Sequence, residues 1–429
     1  MNRAAWIPIG LLALLGACAA GSGTDEVSTS YSSGGDELEP TETSASDSGT
    51  SLGESSDSGE GESESTSEST GEPMGLPGCA NGFVPGDYCP GTAFTIPVGA
   101  GATGVDVADL DGDGDVDIAV SLRSANQVAI LLGNGDGSFA TPLLFPVGAG
   151  PWAILAADIT GDGRPEIATA DYGNNTVTVI WNLGGGSFEV IGSFPAGESP
   201  IHVVTADFNG DGNMDVATSN EMQGNATVSV MLSTGSSLAA PVGYGSGESD
   251  VLGVAALDLD LSGRPDLVAA NEYGGLALML NQGNGTFGGP STIAVGTTPF
   301  ALASADFNAD AKPDLAVGHL GSSEISLLLG DGVGGLGVPT FQQVGTGTGA
   351  LRIADVDGDL DADILVTGPD SAAIDVLLGG LGTFVKQGSI VVGGEPWDVA
   401  AGDFDGDGGL DLVATDALSG AIKIVLFNP

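Results

Sequence analysis

The residues best placed to do chemistry are the acidic side chains of a short loop that begins at Asp109. Asp109 to Asp117 reads D-L-D-G-D-G-D-V-D, with a carboxylate at every second position and glycines in between. Carboxylates held this close repel one another unless a divalent ion compensates their charge. Calcium takes about six to eight oxygen ligands in a flexible geometry, so alternate acids separated by glycine can wrap around one ion. The spacing therefore predicts a calcium site.

The same nine-residue frame occurs six more times along the chain. The seven acidic loops begin at Asp109, Asp158, Asp207, Asp258, Asp306, Asp355 and Asp403. Their separations are 49, 49, 51, 48, 49 and 48 residues, and together they hold 26 of the 57 acidic residues in the 429-residue chain. A period this regular indicates one structural unit copied seven times.

Each unit carries the signals of four β-strands. An apolar stretch such as Ile154 to Ala157 leads into the acidic loop, and a second strand such as Asp117 to Val120 leaves it. A third strand with plain alternation follows, and a glycine-rich turn leads to a last strand. The predicted last strands open with Phe139, Phe188, Phe287 and Phe384 in four of the units. No segment after the N-terminus shows a sustained helical period, so we expect an all-β protein.

Seven units of four strands predict a seven-bladed β-propeller, in which radially arranged sheets leave only short edges. The last unit ends with its third strand, Ile422 to Phe427, while Phe94 to Val98 resembles the fourth strands of other units. The N-terminal strand is therefore predicted to complete the seventh blade and close the ring. A seven-unit solenoid is the structural alternative, but it requires capping repeats that the sequence does not show.

Residues 92–429 resemble the FG-GAP or VCBS repeat family, whose repeats occur in the integrin α-chain propeller and in many bacterial surface proteins. The resemblance depends on seven in-register loops of the Dx(D/N)xDGxxD type. It implies a calcium ion in the hairpin loop between the first two strands of a blade. Side-chain oxygens from loop positions 1, 3, 5 and 9 and a backbone carbonyl from position 7 would hold the ion.

Carried over to this chain, the resemblance implies unequal ligand sets. They are Asp109, Asp111, Asp113 and Asp117; Asp158, Thr160, Asp162 and Glu166; Asp207, Asn209, Asp211 and Asp215; Asp258, Asp260 and Asp266; Asp306, Asn308, Asp310 and Asp314; Asp355, Asp357, Asp359 and Asp363; and Asp403, Asp405, Asp407 and Asp411. We expect four to six bound ions, with the fourth loop the weakest because Ser262 replaces an acid. Ala309 and Ala311 stand where glycine is usual, which has a cost if those positions need positive φ. The alternative is that the loops only cap hairpins through Asx hydrogen bonds.

The N-terminal region predicts export and a lipid anchor. Residues 1–17 have the charge and short apolar core of a secretory signal, and Leu15 to Cys18 resembles the bacterial lipobox. We expect acylation of Cys18; an ordinary cleavage site with a chance cysteine is the alternative. Residues 18–78 are rich in Ser, Thr, Glu and Gly and are predicted to be a disordered tether. Residues 79–91 form a lead-in that a Cys79–Cys89 disulfide would close in an oxidising compartment.

The rim opposite the acidic loops carries aromatic residues beside amide and acidic groups, as protein and glycan contact surfaces do. The candidate ligand-surface residues are Trp152, Tyr172, Tyr273, Phe300 and Trp397. The alternative for Trp152, Phe300 and Trp397 is that they wedge between blades as core residues.

Composition favours a binding module over an enzyme. The formal charge is −49 and no basic run exists, which argues against nucleic acid as a partner. His202 and His319 fall in different units, and no catalytic residues are assigned. We therefore expect a monomeric propeller, held at the outer membrane by its lipid and exposed at the cell surface, that binds a protein or a glycan. A calcium-dependent polysaccharide lyase is the second hypothesis, and a purely structural envelope protein is the third.

Overall fold

The computed structural model describes residues 90–221, 227–247, 250–273, 275–345 and 347–427. These residues form seven four-stranded antiparallel sheets, one small two-stranded sheet and one 3-10 turn at Pro369–Ser371. The prediction of an all-β, seven-bladed propeller is confirmed. The signal peptide, Cys18, the tether and the Cys79–Cys89 pair lie outside the described residues. Within the described part of the chain no helix is long and apolar enough to cross a membrane.

The strands follow one another blade by blade. Blade 1 contains β2 (Ala102–Ala108), β3 (Asp117–Leu122), β4 (Gln127–Leu131) and β5 (Leu143–Pro146). Blade 2 contains β6 (Pro151–Ala157), β7 (Glu166–Asp171), β8 (Thr176–Gly184) and β9 (Ser187–Pro195). Blade 3 contains β10 (Pro200–Ala206), β11 (Asp215–Asn220), β12 (Thr227–Met231) and β13 (Val242–Gly245).

Blade 4 contains β14 (Val251–Leu257), β15 (Asp266–Asn271), β16 (Gly275–Met279) and β19 (Ser291–Ile293), with β17 (Asn281–Gly283) and β18 (Thr286–Phe287) as a side hairpin. Blade 5 contains β20 (Pro299–Ala305), β21 (Asp314–His319), β22 (Glu324–Leu328) and β23 (Thr340–Gln343). Blade 6 contains β24 (Leu351–Ala354), β25 (Asp363–Gly368), β26 (Ala373–Leu378) and β27 (Val385–Val391). Blade 7 contains β28 (Val399–Gly402), β29 (Asp411–Asp416), β30 (Ala421–Phe427) and β1 (Pro90–Pro97).

The ring is closed by the N-terminal strand, as predicted. β1 pairs antiparallel with β30, with Phe94 opposite Ile424 and Ile96 opposite Ile422. The first strand of each blade packs against the first strand of the next, and β28 of blade 7 packs against β2 of blade 1. The first and last strands of the described residues therefore pair in one sheet, and the ring of blades is closed.

Burial decreases from the second strand of a blade to the fourth. Every residue of β3, β7, β11, β15, β21, β25 and β29 is buried. These strands are covered on both faces by neighbouring blades, so the residues between their polar ends are mostly small or branched. The outer strands are largely solvent-exposed, and Leu143 and Leu144 of β5 are examples.

Candidate metal centres

The acidic loops all connect the first strand of a blade to its second strand. The first loop, for example, leaves β2 after Ala108 and enters β3 at Asp117. The same connection in every blade places the seven loops on one rim of the ring. This is the hairpin position that the sequence predicted for calcium.

Carboxylates converge in four of the loops. In each of these loops, three acids offer one oxygen apiece, and the three oxygens lie within 4.8 Å of one another. The groups are Asp109, Asp111 and Asp117; Asp258, Asp260 and Asp266; Asp355, Asp357 and Asp359; and Asp403, Asp405 and Asp411. The fourth loop thus meets the same 4.8 Å limit as the richest loops, although Ser262 replaces the acid at position 5 and Leu261 the glycine at position 4. In the remaining loops Thr160, Asn209 and Asn308 supply a neutral oxygen at position 3.

The acid at loop position 1 organises the turn. Asp109 accepts the backbone N–H of Gly112 at 2.7 Å on one oxygen and that of Gly114 at 3.1 Å on the other. Asp158, Asp207 and Asp403 accept the corresponding amides in their own loops. The Asx hydrogen bonds that were considered as an alternative are therefore present. They do not compete with a cation, because a carboxylate oxygen has more than one lone pair.

The acid at position 9 is buried and joins the loop to the rest of its blade. Asp117 accepts the N–H of Leu110 on one oxygen and the N–H of Gly133 on the other, both at 2.7 Å. Equivalent pairs of bonds are made by Asp215, Asp266, Asp314, Asp363 and Asp411. Glu166 in the second loop accepts the N–H of Thr160 at 3.0 Å.

Burial changes the acidity of these position-9 carboxyls. It raises the pKa of Asp117, Asp215, Asp266 and Asp411 to about 6, and that of Asp363 to about 7, although the amide hydrogen bonds oppose the shift. A buried carboxylate is costly unless charge compensates it. A bound cation would provide that compensation.

Several loop positions require a left-handed backbone. Gly112 and Gly114 of the first loop have φ of 83° and 98°. Ala309 and Ala311 occupy equivalent positions in the fifth loop with φ of 59° and 64°, which confirms the predicted cost of replacing glycine there. Leu261 and Leu360 adopt the same conformation in the fourth and sixth loops.

The residues present fit a calcium ion. In four of the loops three hard oxygens lie close enough to share one cation, and hard oxygen is the ligand type that calcium prefers. Asp355 Oδ1 is buried and has no hydrogen-bond partner among the described residues, as expected of an oxygen that faces an ion. When bound, the ion would neutralise the clustered charge and cross-link the two ends of the loop.

Loop position 2 has a packing role that was not predicted from the sequence. Its residue is apolar in all seven loops and is buried against the next blade; the residues are Leu110, Ile159, Phe208, Leu259, Phe307, Val356 and Phe404. Phe139, Phe287 and Phe384 meet these positions, with ring centroids 5.5 Å from Phe404, 5.4 Å from Phe208 and 5.2 Å from Phe307. These three phenylalanines therefore lie before or outside the fourth strands that they were expected to open, and only Phe188 lies within one, as the second residue of β9. The repeated apolar residue at position 2 was the sequence feature that could have predicted this packing against the next blade.

The opposite rim separates the five candidate ligand-surface residues into two groups. Trp152, Phe300 and Trp397 are only 7%, 3% and 4% exposed. Trp152 and Phe300 share an apolar cluster with Ile201 and Leu252. Their assignment to an exposed contact surface is corrected in favour of the stated alternative, that they are core residues. Trp152 and Phe300 are buried because the starts of adjacent first strands pack together there, and Trp397 is buried just before β28.

The two tyrosines remain accessible on that rim. Tyr273 is 76% exposed, and Tyr172 is partly buried with its ring centroid 6.3 Å from that of Trp152. Burial, and then the neighbouring Glu221 carboxylate, raise the pKa of Tyr172. The neighbouring Glu272 carboxylate raises the pKa of Tyr273. Of the five candidates, the accessible ones are thus two tyrosines beside acidic groups.

The two histidines are buried, and two of the basic residues form ion pairs within the acidic loops. His319 is buried, with Nδ1 3.0 Å from the carbonyl of Thr297 and Nε2 2.7 Å from Ser326 Oγ, and burial lowers its pKa. His202 is also buried, with its ring centroid 5.4 Å from that of Phe300. Arg164 pairs with Asp162, and Lys312 pairs with Asp310 at 3.0 Å, which is local charge compensation within the loops.

Comparison with known families settles what kind of repeat this is. A family model described as an FG-GAP-like repeat matches residues 109–169, 158–218, 258–317, 306–366 and 355–414. The chain belongs to the FG-GAP-like repeat family. A propeller of FG-GAP-like repeats fits a binding or adhesion module in general terms. No curated protein matches the chain.

Solved structures show the same fold at low sequence identity. A lectin from Agrocybe aegerita that recognises non-reducing terminal N-acetylglucosamine has a TM-score of 0.50 and 19% identity, over 70% of this chain and 80% of that one. BBS1N, solved in complex with ARL6DN, has a TM-score of 0.55 and 16% identity, over 80% and 97%. Saccharomyces cerevisiae Sqt1 has a TM-score of 0.53 and 11% identity, over 79% and 98%. The likeness concerns the propeller fold alone.

Proposed function

We propose that this FG-GAP-like propeller is a calcium-stabilised binding or adhesion module for a protein or a glycan. The observation that carries the proposal is the repeated convergence of carboxylate oxygens on one rim. The ions would hold that rim in place, and the other rim would contact the ligand. Propellers of the same fold bind a glycan in the Agrocybe aegerita lectin and a protein in the BBS1N complex.

Tyr172 and Tyr273 mark the proposed contact surface. Tyrosine supplies a large, stiff apolar area and a polar hydroxyl, which suits both glycan and protein partners. The Glu221 and Glu272 carboxylates lie beside the two hydroxyls. This arrangement orients the rings and gives the surface acceptors for sugar hydroxyls or for basic side chains.

The proposal is tested by binding to immobilised panels of glycans, including N-acetylglucosamine-terminated ones, and of extracellular proteins. We expect Tyr172→Ser combined with Tyr273→Ser to abolish whatever binding the unaltered protein shows. Phe341→Ser is the matched control, because Phe341 is 55% exposed on the outer strand β23, away from this rim. Binding that survives the double substitution would contradict the assignment of the surface.

We also propose that Cys18 is acylated and anchors the propeller to the outer membrane, facing outward. Stable anchoring requires more than one acyl chain, which a bacterial lipoprotein modification supplies. Cys18→Ala should abolish labelling by a palmitate analogue and release the protein from the membrane fraction. Protease added to intact cells should remove the propeller from the unaltered protein. Resistance of the propeller in intact cells would contradict display at the surface.

A further inference from the structure

Five of the seven acidic loops are bonded to the blade that follows them. In these five loops the backbone carbonyl at position 2 accepts a hydrogen bond from the end of the third strand of the next blade or from the segment that follows it. The accepting carbonyls are those of Leu110, Ile159, Phe208, Leu259 and Phe404. Because position 2 lies between two candidate ligand positions, these bonds reach into the metal sites themselves.

Ser233 makes two such connections at once. Its backbone N–H donates to Asp215 Oδ1 of the third loop at 2.7 Å, and its hydroxyl donates to the carbonyl of Ile159 in the second loop at 2.8 Å. Asn281 repeats the arrangement one blade further on. Its N–H donates to Asp266 at 2.7 Å and its side-chain amide donates to the carbonyl of Phe208 at 3.0 Å. One buried residue thus joins a candidate ligand of one loop to the backbone of the preceding loop.

We propose that Ser233 and Asn281 are positioning residues that couple cation binding in adjacent loops. The inference rests on the calcium binding proposed above. A cation that fixes Asp215 also fixes Ser233, and Ser233 then holds the Ile159 carbonyl, next to Thr160, in its binding position. Coupling between two sites is reciprocal, so each loop strengthens cation binding at the other. Contiguous hydrogen bonds of this kind can carry such coupling.

Direct charge effects alone predict a different relation between cation binding in two adjacent loops. A cation in one loop reduces the negative potential that attracts the next cation, so direct charge effects oppose cooperative filling. Those effects do not require the hydroxyl of Ser233. A double-mutant cycle between loss of the third loop and loss of this hydroxyl therefore isolates the positioning contribution.

Trp181 provides a reporter for the second loop. It lines the same small cavity as Ile159, Thr160 and Ser233. Terbium, which binds oxygen-rich calcium sites, emits when a nearby indole is excited. Titration of the full chain with Tb³⁺ should give Trp181-dependent emission, which Trp181→Phe should remove. The concentration at half-saturation measures the affinity of the second loop.

The third loop is then disabled by Asp207→Asn with Asp211→Asn. We expect this change to weaken Tb³⁺ binding at the second loop by about two- to tenfold, the factor that corresponds to one buried hydrogen bond. In the Ser233→Ala background the same change should have a smaller effect. Ser233→Asn should restore the dependence of second-loop Tb³⁺ affinity on the third loop, since Asn281 and Asn182 fill the equivalent position in blades 4 and 2.

Ser229→Ala is the matched control. Ser229 lies in the same blade, is 3% exposed compared with 4% for Ser233, and accepts a hydrogen bond from Asn220 without touching an acidic loop. It should leave the coupling intact. A second-loop affinity that depends equally on the third loop with and without the Ser233 hydroxyl would overturn the coupling alone. Failure to obtain Trp181-dependent emission would overturn the cation assignment of this loop and the coupling with it.

Discussion

The carboxylate of Asp117 accepts the backbone N–H of Gly133 at 2.7 Å and so ties the first acidic loop to the turn after the third strand of its blade. Its other oxygen accepts the N–H of Leu110 within the loop. The same residue is also one of the three acids that converge on the candidate cation site. A single buried side chain therefore serves both the fold and the metal site.

Substitution at position 9 should destabilise the protein with or without calcium. Asp117→Asn replaces one accepting oxygen by an NH₂ group that faces a buried backbone donor, so we expect a loss of about 1–3 kcal/mol in the free energy of unfolding. Asp113→Asn is the control, because Asp113 is exposed in the same loop. It should lower stability only when calcium is present. Urea unfolding in calcium and in chelator measures the free energy of unfolding of both variants. Equal losses for the two variants in each condition would contradict the dual role of Asp117.

The metal-free protein should become less stable as the pH rises from about 4 to about 7. The pKa of Asp117, Asp215, Asp266 and Asp411 is raised to about 6 in the folded state, so the native state binds more protons than the unfolded state in this window. The free energy of unfolding then falls with increasing pH. With calcium bound the trend should reverse, because protons compete with the ion for the same oxygens.

Thermal melts of chelator-treated protein, in metal-free buffers across this range, test the prediction. The same melts in millimolar calcium supply the comparison. A melting temperature that rises with pH in both conditions would show that the buried carboxyls are not protonated in the metal-free fold.

Arg352 should be required for the stability of the ring near its closure. Its guanidinium, in blade 6, lies 3.2 Å from Asp398 Oδ2 in blade 7 and donates to the carbonyl of Val105 in blade 1 at 2.9 Å. The Asp398 side chain is 1% exposed, so Arg352→Met leaves a buried carboxylate without this partner. We expect a loss of about 3–5 kcal/mol.

Arg352→Met combined with Asp398→Asn should recover part of this stability, as measured by urea unfolding. Lys312→Met, tested in chelator, is the control, because the Lys312–Asp310 pair is exposed and such pairs contribute about 0–1 kcal/mol. A loss in Arg352→Met no larger than in this control would contradict the assigned role.

Relief of backbone strain should stabilise the fifth loop. Ala309 and Ala311 have positive φ, a conformation that costs an alanine about 1–2 kcal/mol relative to glycine. Ala309→Gly with Ala311→Gly should therefore raise the free energy of unfolding. Ala303→Gly is the control, because Ala303 lies within strand β20 and glycine there should destabilise by about 0.5–1 kcal/mol. Destabilisation by both changes would mean that the loop is not strained.

The sequence predicted the fold well because its signals are local and repeated. Asp117 and its six counterparts mark the hairpin of every blade, and the resemblance of Phe94 to Val98 to the fourth strands of other units indicated closure of the ring. The roles of Trp152 and Ser233 could not be read in this way. Both roles depend on contacts between a side chain and a neighbouring blade. The spacing of residues within one repeat does not show which residues of another blade lie nearby.

We propose that calcium holds this propeller together, and the melting temperature with and without a calcium chelator tests this role most directly. A ligand that binds only the native state stabilises it by mass action, about 2.7 kcal/mol per site when its free concentration is 100-fold above the dissociation constant. We expect the midpoint to fall when EGTA is added and to return when calcium is restored. A midpoint that chelation leaves unchanged would contradict the account.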